Sequence, residues 1–311
     1  MAIHITIFHL SKKLDETQTY DATAQCPLCG DQRERKPVVE IQRSPSIYLL
    51  ACEACGGFSA SRMPKAEVLD EYYSRYYAGR DNDHVTFHNP KRFARHVLKF
   101  IPDHYFENRD SVSICDFGGG DCALSMAIAR LLKPRQINIT LVDYEQGPST
   151  VPDGVTIKKT TDLADVDKPH DIFLASAVLE HISEPKPILQ TIFPLLKPGG
   201  YFYARTPYIL PIMKVIKRMD FSYPGHVHDM GPQFWNRLIE TFSLEAEIIV
   251  SRPSIVETDF SNAFLRTLVA YLIKFPALVE LTLNKTKKEP LWKYVGGWEI
   301  VLKKRVANHC E

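Results

Sequence analysis

The strongest constraint on the fold is a glycine-rich turn that joins an apolar segment to a helical one. The stretch "ICDFGGGDC", residues 114–122, ends the apolar run "SVSICDF" and precedes "ALSMAIARLL", in which alanines and leucines recur at helical spacing. A bare backbone between a buried strand and a helix lets a ligand approach the amides at the helix N-terminus. The sequence therefore predicts an α/β unit with a ligand site at this turn.

Strands and helices alternate from residue 111 onward. Further strands are predicted at "INITLVD", "VTIKK", "DIFLAS", "GYFYARTP", "LEAEIIVS" and "WEIVLKKRV". Helices are predicted at 121–132, at "SEPKPILQTIFPLL" with Ser183 as its cap, and at "PQFWNRLIETF". This order predicts an α/β, Rossmann-like, doubly wound sheet of seven strands, with its ligand at the carboxyl ends of the strands.

The charge at the glycine turn separates two kinds of ligand. The G-x-G-x-x-A spacing of residues 118–123 satisfies a relaxed dinucleotide fingerprint, and Asp143 lies near the distance of a ribose-binding acid. Asp116 argues against a dinucleotide, because a carboxylate repels a neighbouring pyrophosphate, and Asp121 adds a second carboxylate. A ligand that carries an ammonium and a sulfonium suits this turn, which indicates S-adenosylmethionine.

Four cysteines form two C-x-x-C pairs, in "CPLCG" and "CEACGG". Each turn can aim two thiolates at one ion, and the glycine after it lets the chain fold back. Two such turns at the base of a hairpin predict a closed S4 site for a structural zinc ion. Disulfides are one alternative, and a reducing compartment disfavours them. An iron–sulfur cluster is the other, and its usual cysteine spacings differ from the spacing in this sequence. The predicted zinc ligands are Cys26, Cys29, Cys52 and Cys55.

Composition sets limits on location and partners. The 311-residue chain has 38 lysines and arginines against 37 aspartates and glutamates, so net charge alone implies no polyanionic partner. The N-terminal "MAIHITIFHLSKK" lacks the basic region and the cleavage site of a signal peptide. The apolar window 263–283 contains Arg266, Lys274, Pro276 and Glu280, which predicts buried or surface helices and no transmembrane segment. We therefore expect a cytoplasmic protein.

Sequence pattern divides the chain into three parts. Residues 1–65 hold an N-terminal segment and the cysteine pairs, and residues 111–311 hold the alternating sheet, with a helical insertion at about 251–292. Between them, residues 66–110 form a predicted helical linker. Its first helix contains "DEYYSRYY", in which tyrosines recur at a spacing of four on one face. These tyrosines are expected to pack the cysteine module against its neighbour.

Four segments together resemble the class I S-adenosylmethionine-dependent methyltransferases. "ICDFGGGDC" is similar to their first motif, hydrophobic-x-D-x-G-x-G-x-G, and "LVDYE" is similar to their second. "DIFLASAVLEHISEP" and "LLKPGGYFYARTP" are similar to the regions of their fourth and fifth strands. The four segments follow in the family's order. The chain departs from the first motif at Cys122, where a third glycine is usual.

The resemblance extends to the zinc-ribbon-bearing methyltransferases, a group that includes sugar C-methyltransferases. It covers Cys26 to about Lys304 and rests on the cysteine pairs, the tyrosine helix and the core in that order. Similar proteins are common in surface-polysaccharide gene sets. The resemblance implies methyl transfer to a small polar acceptor, such as a sugar of a nucleotide-sugar or surface glycan. It implies S-adenosylmethionine and structural Zn²⁺ as cofactors, and a nucleic acid is not the expected partner.

The resemblance also assigns residues to the cofactor. Asp116, Gly118 and Gly120 are expected under its methionine and ribose portion. Asp143 would accept hydrogen bonds from the ribose hydroxyls, and Asp162 would lie near the adenine. Neighbours of these residues complete this side of the predicted site: Gly119, Asp121, Tyr144 and Leu163.

At the methyl-transfer end, the family pattern is kept only in part. Ser176 would line this end. A tyrosine of the helix that holds Tyr72 to Tyr77 would close over the cofactor carboxylate, with Tyr77 as the first candidate. "FSYPGHVHDMGPQFW" resembles a family segment in which a tyrosine, a glutamate and a histidine occur as Y-x-E-H. The matching positions here hold Gly225, Val227 and His228, so only the histidine is kept.

The predicted catalytic base is therefore a histidine. His228 is the first candidate, and His226 and Tyr223 can act from nearby positions. His181, in "LEHI", is common in these folds and has either a catalytic or a structural role. A histidine base typically accelerates such a reaction by about 10²–10⁴-fold.

Two other functions remain open. Some ribosomal RNA methyltransferases of this fold also begin with a "CPLC" zinc module, and residues 31–43 hold several basic side chains, although acids interleave with them. A non-catalytic binding protein on the same fold is the second alternative, because a fold alone never determines a function. The acids and glycines of the predicted cofactor turn argue against that alternative.

Overall fold

The computed structural model describes most of the chain. The described residues are 11–78, 90–107, 109–132, 135–144, 147–217, 219–256, 264–284 and 291–306. For residues 75–78 and 264–267 only the helical backbone is described. Tyr77 falls in the first of these two segments, so its predicted contact with the cofactor lies outside the described residues.

The first part of the chain forms short strands and three helices before the main sheet. These elements are β1 (Thr19–Asp21), β2 (Lys36–Arg43), β3 (Ser46–Ala51), β4 (Phe58–Ala60), β5 (Arg62–Pro64), α1 (Ala66–Ala78), α2 (Pro90–Leu98) and α3 (His104–Glu107). The rest of the chain forms β6 (Ser111–Phe117), α4 (Ala123–Leu132), β7 (Gln136–Val142), β8 (Val155–Thr160), β9 (His170–Ser176), α5 (Pro185–Ile192), β10 (Leu196–Tyr208), α6 (Leu210–Val215), β11 (His228–Asp229), α7 (Pro232–Phe242), β12 (Ala246–Pro253), α8 (Phe264–Leu283) and β13 (Gly296–Lys304).

The main sheet has seven strands in the order β12-β13-β10-β9-β6-β7-β8. The five strands from β8 to β10 are parallel, whereas β13 is antiparallel to both β10 and β12. The predicted seven-stranded α/β sheet is thus confirmed, as a mixed sheet. In the sheet, β7 lies on one side of β6 and β9 lies on the other, so the direction in which strands are added reverses at β6. This switch point opens a crevice at the carboxyl ends of β6 and β9.

The sheet is buried on both faces because its central strands are apolar throughout. Along β9, Phe173 and Ala175 join one hydrophobic cluster, while Ile172 and Leu174 join a second cluster on the opposite face. Side chains alternate across a strand, so a continuous apolar run fills two cores at once. Trp235 of α7 packs in the first cluster. This packing fixes the strand ends that hold the candidate site.

A second sheet joins the cysteine module to the second half of the chain. It has the order β11-β4-β3-β2, so β11 from the second half of the chain pairs with β4 from the cysteine module. In that pairing His228 lies opposite Ser59, and Asp229 lies opposite Phe58. The hairpin of β2 and β3 lies between the two C-x-x-C pairs, as the sequence predicts.

Two predicted helix boundaries differ in the structure. α5 begins at Pro185, and its N-cap residue, Glu184, makes no side-chain capping bond, so the predicted cap at Ser183 is wrong. A proline at the start of a helix has a preset φ and no amide hydrogen that needs a partner. α4 begins at Ala123, and the Asp121 carboxylate accepts a hydrogen bond from the Ala123 amide at 3.0 Å.

The predicted insertion contains α8, a 20-residue helix with Pro276 in its interior. It is preceded by β12 and followed by β13. Within the described ranges, no helix is long and apolar enough to cross a membrane.

Candidate functional site

The glycine turn after β6 leaves no room for side chains. Gly118 and Gly120 have φ of 67° and 55°, a left-handed conformation that favours glycine. A Cβ atom on Gly119 would lie 2.4 Å from Cγ of Asp116, and one on Gly118 would lie 2.5 Å from a Val178 methyl carbon. The turn is therefore held tightly between the end of β6 and the loop after β9.

Asp116 is a buried carboxylate at this turn. It is 3% exposed, and its Oδ2 atom has no hydrogen-bond partner among the residues that the structure describes. Burial raises the pKa of the Asp116 carboxyl to about 6, and the nearby carboxylates of Asp143 and Asp121 act in the same direction. A buried acid with an open acceptor atom favours a ligand that brings a positive charge or a hydrogen-bond donor.

The neighbouring acids and Cys122 shape the same turn. Oδ2 of Asp143, which follows β7, accepts a hydrogen bond from the Gly120 amide at 2.8 Å. This bond fixes the carboxylate at the edge of the crevice. Cys122, at the position of the family's third glycine, has a φ of 63° and is fully buried. A cysteine there adopts a strained conformation at a cost of about 1–2 kcal/mol.

The other predicted cofactor residues follow the neighbouring strands. Tyr144 follows β7 and is 85% exposed, whereas Leu163 after β8 is buried. Asp162 accepts a hydrogen bond from the Ala164 amide at 2.9 Å and caps the short helical turn Leu163–Asp165. Ser176 ends β9, and its buried hydroxyl has no partner in the described part of the chain. All these residues therefore lie at one edge of the sheet, where the parallel strands end.

A second polar cluster lies next to the turn, two residues beyond Val178. Glu180, His181 and His226 each place one ligand atom within 4.8 Å of the others. The rings of His181 and His226 are 4.9 Å apart between centroids. Two imidazoles and a carboxylate can exchange protons, and the same donor set can hold a divalent metal ion.

Hydrogen bonds fix the tautomer of His181. Its Nδ1 atom lies 2.6 Å from the Gly225 carbonyl oxygen and 3.0 Å from the Tyr73 hydroxyl of α1. The Gly225 carbonyl can only accept, so Nδ1 carries the proton and Nε2 keeps its lone pair. Nε2 lies 3.9 Å from Oε1 of Glu180. Because Tyr73 belongs to α1, its bond to His181 brings this helix into direct contact with the cluster.

Burial sets the charge of this cluster. It raises the pKa of the Glu180 carboxyl to about 8 and lowers the pKa of the His181 imidazole to about 4. Both shifts favour the uncharged form of the side chain. One carboxyl oxygen of Glu180, Oε2, has no hydrogen-bond partner within the described ranges.

The first base candidate, His228, is fully buried and bonded on both sides of its ring. Nε2 donates to the Ile182 carbonyl oxygen at 2.8 Å, and Nδ1 accepts from the Ser59 hydroxyl at 2.9 Å. Burial lowers the pKa of His228 to about 4. This geometry suits a residue that joins the cysteine module to the main sheet, because neither nitrogen is available to a substrate.

Tyr223 is also engaged away from the cluster. It is 2% exposed, and its hydroxyl donates to the Arg62 carbonyl oxygen at 3.1 Å. Burial raises the pKa of Tyr223 well above its ordinary value. Of the four predicted base candidates, the structure brings together only His181 and His226, both partly exposed.

The comparison with known families decides the class of this domain. A family described as a methyltransferase domain matches residues 83–247, more than half of the chain. The chain belongs to this methyltransferase family. The match spans the glycine turn, the Glu180 cluster and His226, and it supports S-adenosylmethionine-dependent methyl transfer as the class of activity. A search of curated protein sequences finds no match.

Several solved methyltransferase structures are similar to this chain at low sequence identity. The plantazolicin methyltransferase BpumL in complex with SAH is 16% identical, with a TM-score of 0.46 over 77% of this chain and 91% of that one. Coclaurine N-methyltransferase bound to N-methylheliamine and SAH is 13% identical, with a TM-score of 0.42 over 72% and 75%. A SAM-dependent methyltransferase from Methanosarcina mazei is 16% identical, with a TM-score of 0.41 over 66% and 98%.

The four cysteines of the methyltransferase meet at the base of the β2–β3 hairpin. The Sγ atoms of Cys26 and Cys55 are 3.9 Å apart, and those of Cys29 and Cys52 are 3.7 Å apart. Four sulfurs at about 2.3 Å from one zinc ion are about 3.8 Å from each other, so the cluster fits zinc. The separations are also far from the roughly 2 Å of a disulfide bond. The cluster thus has the size and the ligand chemistry of a zinc site.

Two glycines shape the cysteine turns. The Gly30 amide donates to the Cys26 carbonyl oxygen at 2.7 Å, and the Gly56 amide donates to the Cys52 carbonyl oxygen at 2.8 Å. Both glycines have a positive φ, and a Cβ on Gly56 would lie 2.6 Å from Gln233 of α7. The cysteine module therefore packs directly on the methyltransferase sheet and its helices.

Sequence reasoning did not identify Glu180 as part of the site, and it included Tyr73 only as one tyrosine of the helix that holds Tyr72 to Tyr77. Glu180 adjoins His181 in "LEHI", but a glutamate beside a histidine gives no sign that its carboxyl is buried. Tyr73 is one of four tyrosines in its helix, and the sequence favoured Tyr77. The position of α1 over the cluster places the Tyr73 hydroxyl 3.0 Å from Nδ1 of His181, a contact that the sequence does not indicate.

Proposed function

We propose that the chain transfers a methyl group from S-adenosylmethionine to a small polar acceptor. The observation that carries the proposal is the buried carboxylate of Asp116, which has an open acceptor atom beside a bare glycine turn in a methyltransferase-family domain. An ammonium or sulfonium cation offsets the cost of burying this charge. A pyrophosphate would increase that cost.

The residues of the glycine turn would hold the cofactor. Asp116 and the amides of the turn would bind its methionine portion, and the Asp143 carboxylate would accept from its ribose hydroxyls. Asp162 and Leu163 would contact the adenine, with Tyr144 free to cover it. Further contacts are proposed for the remaining residues of the predicted set: Gly118, Gly119, Gly120, Asp121, Ser176 and Tyr77. When bound, the cofactor supplies an activated methyl group.

His226 takes the acceptor's proton in this proposal. Both ring nitrogens of His228 and the hydroxyl of Tyr223 are already hydrogen-bonded within the protein. Burial lowers the pKa of the His181 imidazole, which makes it a weaker base. His226 is partly exposed and lies against His181. The acceptor's proton would pass to a ring nitrogen of His226 and from there to water, while the Glu180 carboxyl, whose uncharged form is favoured by burial, lies within 4.8 Å as a hydrogen-bonding partner. His181 and Tyr73 position the pair.

A sugar of a nucleotide-sugar or surface glycan is the proposed acceptor. The support is the resemblance to sugar methyltransferases and the polar character of the Glu180, His181 and His226 cluster, which suits a hydroxyl or an acidic carbon. The near balance of basic and acidic residues gives no support to a nucleic-acid substrate. The proposed setting is the cytoplasm, where such activated sugars are made.

The cysteine module is proposed to hold one structural zinc ion through Cys26, Cys29, Cys52 and Cys55, as a zinc ribbon. Four sulfur ligands close the coordination sphere, so the ion would stabilise the fold and take no part in the chemistry. The proposed division is a ribbon at 1–65, a linker at 66–110 and a methyltransferase domain at 111–311. The packing of β11 on β4 implies that ribbon and domain act as one body.

A methyl-transfer screen tests this function. The wild-type protein and Asp116→Asn are incubated with S-adenosylmethionine labelled in its methyl group and with nucleotide sugars, glycans or RNA. We expect labelled sugar with the wild type and at least tenfold less with the variant. Label that appears only in RNA would contradict the acceptor class. Absence of label in every class, with intact cofactor binding, would favour the non-catalytic alternative.

A further inference from the structure

An arginine without a partner anion lies at the carboxyl end of β10. Arg205 pairs with Ser176 of β9, and its carbonyl oxygen accepts a hydrogen bond from the Ala177 amide at 2.8 Å. The Arg205 side chain is partly exposed, and among the described residues its guanidinium makes neither a hydrogen bond nor an ion pair. All of the N–H donors of this guanidinium are therefore open to a ligand.

Phe93 of α2 holds this guanidinium in place. Cζ of Arg205 lies over the Phe93 ring, 5.7 Å from its centroid, and the ring is buried. A guanidinium is attracted to the face of an aromatic ring and keeps its N–H groups available around its edge. Because the cation is positioned before a ligand arrives, less conformational entropy is lost on binding.

The neighbouring acids do not neutralise Arg205. Glu299 of β13 is its cross-strand neighbour, but the Glu299 carboxylate is already bonded to other side chains. These are His96, Arg252 and Tyr203, at 2.8, 2.7 and 3.1 Å, respectively. Glu180 is the second acid, and burial raises the pKa of its carboxyl to about 8, although the charge of Arg205 acts in the opposite direction. This end of the site therefore carries an uncompensated positive charge.

The sheet separates Arg205 from the proposed cofactor turn. β9 lies between β10 and β6, and neighbouring strands are about 4.8 Å apart, so the ends of β6 and β10 are about 10 Å apart. The strand pairing places the side chains of Asp116, Ser176 and Arg205 on one face of the sheet. β10 also contacts the short helical turn Leu179–His181, which belongs to the polar cluster. Arg205 thus lies on the side where the methyl acceptor is proposed to bind.

We propose that Arg205 binds an anionic group of the methyl acceptor, a carboxylate or a phosphate ester. The inference rests on the proposed methyl transfer and narrows its acceptor to a molecule with a negative charge close to the reacting atom. The guanidinium binds two oxygens of this group through parallel N–H donors, and the Ser176 hydroxyl donates a further bond. The two ends of the site then have opposite charges, since Asp116 attracts the cationic cofactor and Arg205 attracts the anionic acceptor.

Calorimetric titration of the protein saturated with S-adenosylhomocysteine tests this binding without turnover. The probes are glucose 1-phosphate, glucuronate and methyl glucoside, which carry a phosphate, a carboxylate and no charge, respectively. We expect an anionic probe to bind and the neutral one not to bind, and the preferred anion distinguishes phosphate from carboxylate. Arg205→Gln should weaken this binding about 10–100-fold. Arg205→Lys should keep part of it, because an ammonium keeps the charge and loses the paired donors.

Arg43→Gln provides the matched control, since the Arg43 side chain is 92% exposed at the end of β2. It should bind every probe as the wild type does. Equal anion binding by Arg205→Gln and wild type, binding of the neutral sugar as tight as that of the anions, or no anion binding would overturn the proposal. So would a loss of S-adenosylhomocysteine affinity in Arg205→Gln, because the guanidinium would then hold the cofactor's own carboxylate. Anion binding that depends on Arg205, without methyl transfer to any acceptor, would support this inference and contradict only the proposed function.

Discussion

Asp116→Asn should weaken S-adenosylmethionine binding while it stabilises the unliganded protein. Burial raises the Asp116 pKa from 3.8 to about 6, so the folded protein at pH 7 contains a carboxylate that would be more stable in water. A shift of this size corresponds to about 3 kcal/mol of unfavourable free energy in the fully buried, unliganded site. The isosteric amide removes this cost. It also removes a charge that the cofactor needs.

The sign of the pH effect follows from the direction of that pKa. Because the folded-state pKa is raised, the unfolded chain releases its proton first, and the free energy of unfolding falls as the pH rises from about 4 to 6. In Asp116→Asn, the free energy of unfolding should not show this decrease with pH. Cofactor binding has the opposite dependence, because only the ionised carboxylate attracts a cation. From pH 7 to pH 5 the affinity of the wild type should fall about tenfold, or 1.4 kcal/mol.

The assay is calorimetric titration with S-adenosylmethionine at pH 5, 6 and 7, together with thermal unfolding at the same pH values. We expect Asp116→Asn to bind about 10–100-fold more weakly at pH 7, to show little pH dependence, and to unfold at a higher temperature without ligand. Unchanged affinity in Asp116→Asn, or a wild-type affinity that rises toward pH 5, would refute the reasoning.

Three further predictions concern the other sites. His226→Asn should lower kcat by about two orders of magnitude and leave cofactor affinity unchanged, and a full-rate variant would remove His226 as the base. His228→Ala should instead lower the free energy of unfolding by about 1–3 kcal/mol, measured by urea denaturation, because it leaves the Ser59 hydroxyl and the Ile182 carbonyl without a partner. A large loss of kcat with unchanged stability would restore His228 as the base. Cys26→Ser should lose the single zinc ion in elemental analysis, whereas Cys115→Ser should keep it, and equal metal content in both would contradict the zinc site.

The fold and the cofactor turn could be predicted because their signals are local. The apolar runs of β6 and β9 and the glycines between β6 and α4 determine strand, turn and helix from neighbouring residues alone. The unfavourable placement of a carboxylate at the turn is also visible in sequence, since Asp116 stands two residues before the first glycine, Gly118. These features require no knowledge of distant contacts.

The catalytic side could not be predicted because it depends on contacts between distant residues. His228 is buried by pairing with Ser59, 169 residues away, and no pattern near either residue indicates that pairing. The contact between Tyr73 and His181 spans 108 residues and depends on the direction in which α1 leaves the cysteine module.

Cofactor identity is the central claim, and calorimetric titration of the wild type and Asp143→Ala with S-adenosylmethionine and with NAD tests it most directly. The Asp143 carboxylate is already held by the Gly120 amide, so it is ready to accept from a ribose. We expect one S-adenosylmethionine site per chain, a loss of about 1.5–3 kcal/mol of binding free energy in Asp143→Ala, and no NAD binding. Tight NAD binding without any response to S-adenosylmethionine would contradict the assignment of the glycine turn.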